Sequence, residues 1–277
     1  MLSVEDVERH LLSFSDEISR QNYIKTALEC VCWREGRLDL MKMLKKYSTY
    51  FLNYLNSYLV CACVGGHIDI VVSLIEEDGA NVRFQDDNPV KSASLNGHLS
   101  VVKYLYKMGA NIRIDNDYCV RFATWYNYID LVKYLVSIGA DIRTDNDFCL
   151  QKASERGYIE LVKYLTKLGA DIQVQDNYSV KRAAANGHLE IVLFFYENNV
   201  DIRVMGTEMF HRLEICDVEF CKKYITLYEK MKNKKREKAQ KKIYFWWIPI
   251  CYDIYRDCGQ RMMQKNWEKT YELLVSF

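Results

Sequence analysis

The chain has 277 residues, 49% hydrophobic and 27% charged, with a formal net charge of +1. That balance excludes a strong global pull toward nucleic acid or an anionic membrane, while the apolar share is enough for a substantial core. Only 2 prolines and 12 glycines leave little room for disordered linkers.

The first residues, Met-Leu-Ser-Val-Glu-Asp, are acidic and lack the basic and apolar regions of a secretory signal. They point to an intracellular, cytoplasmic protein that is not secreted. Ser3 followed by Asp6 has the spacing of a capping box, so residues 1–20 read as an N-terminal capping helix shielding the first repeat. From 21 to 206 the chain repeats itself. A Gly-Ala-Asn or Gly-Ala-Asp triplet recurs every 30 residues, at Gly79, Gly109, Gly139 and Gly169. Segments opening at Gly97, Asn127, Gly157 and Gly187 share one wording; Gly66 opens a matching segment with one extra residue and Gly36 a more eroded one, about six units in all. A period of this size marks a solenoid, in which each unit buries its apolar face only against its neighbours.

Each unit reads as two short helices and a turn. Between Ile129 and Ile138 the apolar positions 129, 132, 135 and 136 share a stripe, while Asp130, Lys133 and Ser137 point elsewhere. Gly139 then suits a C-cap in the left-handed conformation. Asp117 and Asp147 precede the next apolar run and read as N-caps of the unit's first helix. That helix carries Val120 and Ala123, then Leu150 and Ala153, then Val180 and Ala183, the small residue letting the paired helix approach. Helices of about 10 residues are marginal alone, so stacking must hold them.

The polar residues follow the same beat. His67, His98 and His188 stand directly after Gly, where Tyr128 and Tyr158 replace them in other units. A ring replaceable by tyrosine is a turn-stabilising group, not a general base. Of 10 cysteines, Cys119 and Cys149 share one slot, Cys32 falls where Ala93 and Ala123 lie, and Cys61 and Cys63 flank Ala62. They read as small buried hydrophobes, without zinc-ribbon spacing. Cys216, Cys221, Cys251 and Cys258 lie beyond the repeats, leaving a zinc reading there with His211 as its one histidine. With no nucleophile elbow or phosphate-binding loop, the chain reads as a non-enzyme with no cofactor and no small-molecule substrate.

The wording GHLSVVKYL, GYIELVKYL and GHLEIV followed by GAN or GAD resembles the ankyrin repeat over roughly Tyr23 to Arg203. The resemblance implies an all-α, ankyrin-type helix-turn-helix solenoid serving protein–protein interaction. Two departures matter. The usual Thr-Pro-Leu-His is Asn88-Pro89-Val90-Lys91, Tyr118-Cys119-Val120-Arg121, Phe148-Cys149-Leu150-Gln151 and Tyr178-Ser179-Val180-Lys181. The period is also about three residues short of the ~33 of ankyrin units, a loss falling between the Gly-Ala-Asp triplet and the first helix. Shortened or absent β-hairpin fingers are therefore expected. The 30-residue units, with a tail containing WWIPICYD from Trp246 and GQRMMQKNWEKTYELL from Gly259, are also similar to ankyrin proteins of giant DNA viruses of the mimivirus type.

In a non-enzymatic scaffold, function lies at positions that vary within the frame. The first-helix register carries Lys91, Arg121, Gln151 and Lys181, then Leu95, Trp125 and Glu155, then Tyr126 and Arg156, with Ile114, Asp115 and Asp145 in the finger register. Trp125 and Tyr126 stand out as aromatic anchors ringed by polar residues, against the alternative that Trp125 only fills a gap. Arg83, Arg113, Arg143 and Arg203, beside acids such as Asp86, Asp115 and Asp145, read as an internal charge ladder.

Residues 207–277 read as a helical C-terminal tail with a basic run at 230–242, including Lys234, Lys235, Arg236, Lys238, Lys241 and Lys242. A solvated helix face explains the run, and without interleaved aromatics it argues against nucleic acid, while leaving a nuclear address open. The apolar stretch from Ile243 to Ile250 falls far below the ~20 residues that span a bilayer, so no membrane is involved. The expectation is a monomer that engages an unidentified protein partner, inside a host cell if the chain is viral. Other readings are a ubiquitin-ligase substrate adaptor acting through the tail, a nucleic-acid-associated protein acting through the basic run, or a structural virion component.

Overall fold

The computed structural model describes residues 3–198 and residue 200. At its start, the Asp6 amide donates to the Ser3 hydroxyl at 3.1 Å and the Ser3 amide to the Asp6 carboxylate at 3.3 Å, forming the capping box of α1 (Val4–Leu12). Helix α2 (Glu17–Cys30) is capped by Asp16 and begins before residue 20, so α1 alone precedes the first helical pair. A π-helical turn, Val31–Glu35, joins α2 to α3 (Leu38–Tyr47). Three pairs come after it: α4 (Phe51–Gly65) with α5 (Ile68–Glu76), α6 (Phe84–Leu95) with α7 (Leu99–Lys107), and α8 (Ile114–Trp125) with α9 (Ile129–Ser137). Next come α10 (Thr144–Arg156), α11 (Ile159–Lys167), α12 (Val174–Ala185) and α13 (Leu189–Glu197). No strand occurs among the described residues, and the fold is the all-α repeat of helical pairs that the sequence predicts.

The described residues divide into two compact units. One has residues 3–153 with 160–171; the other has 154–159 with those described from 172 onward. In the first, α4 packs on α6 and α6 on α8, while each of α4, α6 and α8 packs on its own second helix. The period-3.6 stripes meet there: Leu59, Ala62, Val90, Ala93, Val120 and Ala123 of the first helices are fully buried, as are Ile70, Leu74, Val102, Leu105, Val132 and Leu135 of the second. In the second unit α12 packs on α13, burying Val180, Ala183, Ile191 and Phe195.

The helix ends obey the chemistry written into the repeat. After α9, Gly139 takes φ 98° and the Ala140 amide reaches back to the Leu135 carbonyl at 3.0 Å, the closing bond of a Schellman motif. Ala110 to Leu105 and Ala170 to Leu165 repeat it at 3.0 and 3.1 Å.

Where ankyrin fingers would stand, the chain makes a left-handed turn. Gln85, Asp86 and Asp87 have φ of 47°, 54° and 56°; Asp115 to Asp117, with φ of 51°, 55° and 58°, and Asp145 to Asp147, each with φ 57°, repeat this left-handed run. Asn and Asp tolerate that region better than other side-chain-bearing residues, so the Asp-Asn-Asp wording suits it. The turn is entered through an Asx-type bond: the Arg83, Arg113 and Arg143 amides donate to the Asn81, Asn111 and Asp141 side chains at 2.9, 2.9 and 2.8 Å.

That geometry corrects the expected role of Asp117 and Asp147. The side chains do not cap their own helices. The Asp117 carboxylate is buried and accepts from the Asp141 amide, 24 positions ahead, at 3.1 Å; Asp87 accepts from Asn111 at 2.8 Å and Asp147 from Asp171 at 3.2 Å. Upstream, Asn56 accepts from the Asn81 amide at 2.8 Å. The partners of the arginine ladder are corrected as well. Arg83, Arg113 and Arg143 reach Asp87, Asp117 and Asp147 at 3.2, 2.9 and 3.5 Å, not Asp86, Asp115 and Asp145. Burial raises the Asp147 carboxyl above its ordinary range against the opposing pull of the Asp171 amide and Arg143. Arg203 lies outside the described residues.

Asp117→Ala removes the acceptor of a cross-repeat amide and the partner of Arg113, and should cost about 2 kcal/mol in urea unfolding, whereas Asp117→Asn, which keeps an acceptor oxygen, should lose roughly half as much.

Candidate functional site

The exposed faces of the first helices in the larger unit carry the side chains that differ most from repeat to repeat. In α8, Tyr118, Phe122 and Trp125 fall on one face at helical spacing and stack in a row, with ring centroids 4.1 Å apart for the first pair and 6.2 Å for the second. Trp125 continues onto Phe148 of the next first helix at 5.8 Å with an interplanar angle of 21°. Two cations lie against this row. The Lys152 ammonium stands 4.8 Å from the Trp125 ring and 5.7 Å from Phe148, and the Arg121 guanidinium 5.4 Å from Phe148. All four rings are half-buried. Tyr126, 46% exposed, stacks on Tyr128 at 6.1 Å.

Trp125 therefore bridges neighbouring repeats while keeping part of its indole at the surface. The other positions separate. Lys91 pairs with Asp115 at 3.0 Å and Arg121 with Asp145 at 3.1 Å, each first-helix cation holding the next repeat's turn. Arg121 also donates to the Asp115 carbonyl at 2.8 Å. Gln151, in the same register, is buried, and its amide donates to the Asn146 carbonyl at 2.6 Å. Leu95 and Ile114 are half-buried. In the smaller unit Glu155 and Lys181 are half-buried, Arg156 is exposed, and the Glu155 carbonyl serves His188. Lys234, Lys235, Arg236, Lys238, Lys241 and Lys242 lie outside the described residues, with Cys216, Cys221, Cys251, Cys258 and all of 207–277.

Sequence reasoning singled out Trp125 but missed its row. The aromatic spacing 118, 122, 125, with Phe148 in the register of Tyr118, was the available signal. Lys152 had none, because its contact to Trp125 crosses repeats.

His67, His98, His188, Cys119 and Cys149 take structural places. His98 Nε2–H donates to the Val64 carbonyl at 2.8 Å, His67 to Trp33 at 3.1 Å and His188 to Glu155 at 3.0 Å, the carbonyl partner assigning the proton to Nε2. Tyr128, replacing histidine in this slot, lies over Gly97, so closely that a Cβ there would stand 2.7 Å from the ring. Cys119 and Cys149 are buried, their thiols 3.9 Å from the Val90 and Val120 carbonyls. Burial pushes Cys119 up to about 11 and Cys149 up to about 12. Among the described residues no group of three or more His, Cys, Asp or Glu is placed to hold a metal ion, and no helix is long and apolar enough to cross a membrane.

With this geometry belongs a family. A family model described as Ankyrin repeats (3 copies) matches residues 30–116 and 120–205. The chain is an ankyrin-repeat protein. The comparison with curated proteins gives no match. Ankyrin repeats are in general protein–protein interaction modules and generally non-enzymatic.

Gly97→Ala meets both the Tyr128 ring and a φ of 78°, and should lower stability by about 3 kcal/mol. Gly109→Ala, with nothing within 4 Å of the added Cβ, meets only its φ of 95° and should cost about 1 kcal/mol, the contrast being readable in thermal melts. Peptide-mapped alkylation at pH 8 should label Cys119 and Cys149 at least about 100-fold more slowly than an unperturbed thiol until the protein unfolds.

Proposed function

We propose that this ankyrin-repeat protein is a non-enzymatic scaffold or adaptor whose protein partner docks on the first-helix surface around Trp125 and Tyr126. The observation that carries this reading is the stacked row from Tyr118 to Phe148, with Lys152 and Arg121 against its rings. Large rings held rigid by their neighbours lose little entropy on binding, which favours Trp and Tyr as hot-spot residues. Tyr126 adds an exposed phenol at the end of the same helix. The protein acts as a monomer within the cytoplasm. Its direction toward host or viral proteins rests on the likeness of the 30-residue units, and of the tail from Trp246, to giant-virus ankyrin proteins. Recruitment of ubiquitin machinery by that tail is the alternative to this reading.

Partner capture from cell extract with wild type, Tyr126→Ala and Trp125→Ala/Tyr126→Ala, each checked for its folded helical signal, tests the surface. The double variant should lose one specific partner at least about tenfold, as expected of hot-spot aromatics worth ~2 kcal/mol each. Undiminished recovery of every partner by the folded double variant removes this surface from the reading.

A further inference from the structure

The last helix of the array, α13, differs from the second helices before it on its outward stripe. At the middle of that stripe α7, α9 and α11 carry Lys103-Tyr104, Lys133-Tyr134 and Lys163-Tyr164, and all three lysines are exposed. In α13 the lysine has become Leu193 and the tyrosine Phe194, while the positions three before and four after Leu193 hold Glu190 and Glu197. Leu193 and Phe194 are half-buried and both acids are exposed. With Ile191, Val192 and Phe195 buried on its inner side, α13 is apolar on both sides, the pattern of a helix covered all round. Its partner α12 is short of cover as well: Ala184 is half-buried where Ser94, Thr124 and Ser154 are fully buried. A solenoid meets water at its end behind a polar outer face, and this pair lacks one.

Within the larger unit, outward stripes are met by the element that follows in the stack. The Tyr104 hydroxyl of α7 donates to Glu76 of α5 at 2.9 Å, and the Lys103 ammonium of α7 lies 5.3 Å from the Tyr134 ring of α9. Glu197 stands ten residues after Gly187, as Glu76 stands ten after Gly66, so its register also calls for a donor from the chain that follows. We infer that the segment Ile243–Ile250 of this same chain packs on Leu193 and Phe194 and closes the array, with Lys241 and Lys242 toward Glu190 and Glu197. The segment is uncharged, holds four successive aromatic residues from Tyr244 to Trp247, and directly follows the basic run at 230–242. Apolar surface and charge complementarity thus select one occupant: rings against the leucine and phenylalanine, lysines against the two acids. Residues 201–242 reach it easily, since even at the ~1.5 Å per residue of a helix they outspan the nine residues of α13. A second copy or a separate protein would have to displace a segment tethered at an effective concentration on the order of millimolar. A tail spent in this way does not offer its aromatic run to recruited machinery.

Hydrogen exchange of the full chain, with zero-length carbodiimide cross-linking of an equal mixture of unlabelled and isotope-labelled protein, tests the closure. Trp246→Ser/Trp247→Ser should speed exchange of the α13 amides at least about tenfold and leave those of α7 and α9 unchanged. Leu193→Lys, which restores the residue of the earlier repeats, should have the same effect from the other side of the contact. Glu190 or Glu197 should link to Lys241 or Lys242 within one chain. Links found only between a labelled and an unlabelled chain assign the stripe to a second copy and overturn the closure. Exchange of α13 that is indifferent to Trp246→Ser/Trp247→Ser overturns it whichever links form, and leaves the stripe to a separate protein.

Discussion

A buried carboxylate carries register from one repeat to the next. Asp87, Asp117 and Asp147 each accept from a backbone amide 24 positions ahead, and each is held from its own side by an arginine four residues earlier. Two helices of about ten residues have no stability of their own. Apolar stacking supplies the driving force but is non-directional, so it tolerates sliding. The carboxylate removes that freedom, because a buried acid whose amide is displaced keeps its desolvation cost and loses its partner.

The same contact explains why the finger can be short. An extended hairpin would supply its own backbone pairing; here three successive left-handed residues turn the chain within a few positions and bury the third. The backbone conformation is costly for residues with a Cβ, and Asp and Asn bear it most cheaply by bonding locally. Asp115 and Asp145 project from these turns and tie Lys91 and Arg121 of the preceding repeats, so the turn that sets register also shapes the edge of the first-helix face.

Legibility in the sequence varied with the range of the interaction. Helix pairs, the Schellman glycine at Gly139 and the Ser3 capping box depend on residues within one or two turns, and their spacing was readable. The Asp117 side chain was misassigned because a lone acid before an apolar run looks the same whether it caps its own helix or reaches the next repeat. Arginine partners were misplaced by the same limit: Asp115 is nearer in sequence to Arg113, but Asp117, one left-handed turn on, is nearer in space. Gln151 shared a register with Lys91 and Arg121 and still ended buried, with its amide donating to the Asn146 carbonyl, a partner its register did not announce.

The amino-acid sequence by itself determined the repeat, its helical period, its shortened connection and the buried identity of Cys119 and Cys149, though not of Cys61, which is half-buried, because each follows from a pattern of side-chain size and polarity repeated at 30-residue intervals. The tertiary structure alone decided that Trp125 lies between Phe122 and Phe148 with Lys152 above it, and that Lys91 and Arg121 are spent holding neighbouring turns. Apart from the Phe122–Trp125 stack, those contacts join residues more than twenty positions apart. Their partners are chosen by the stacking distance between helices, a quantity no single repeat encodes.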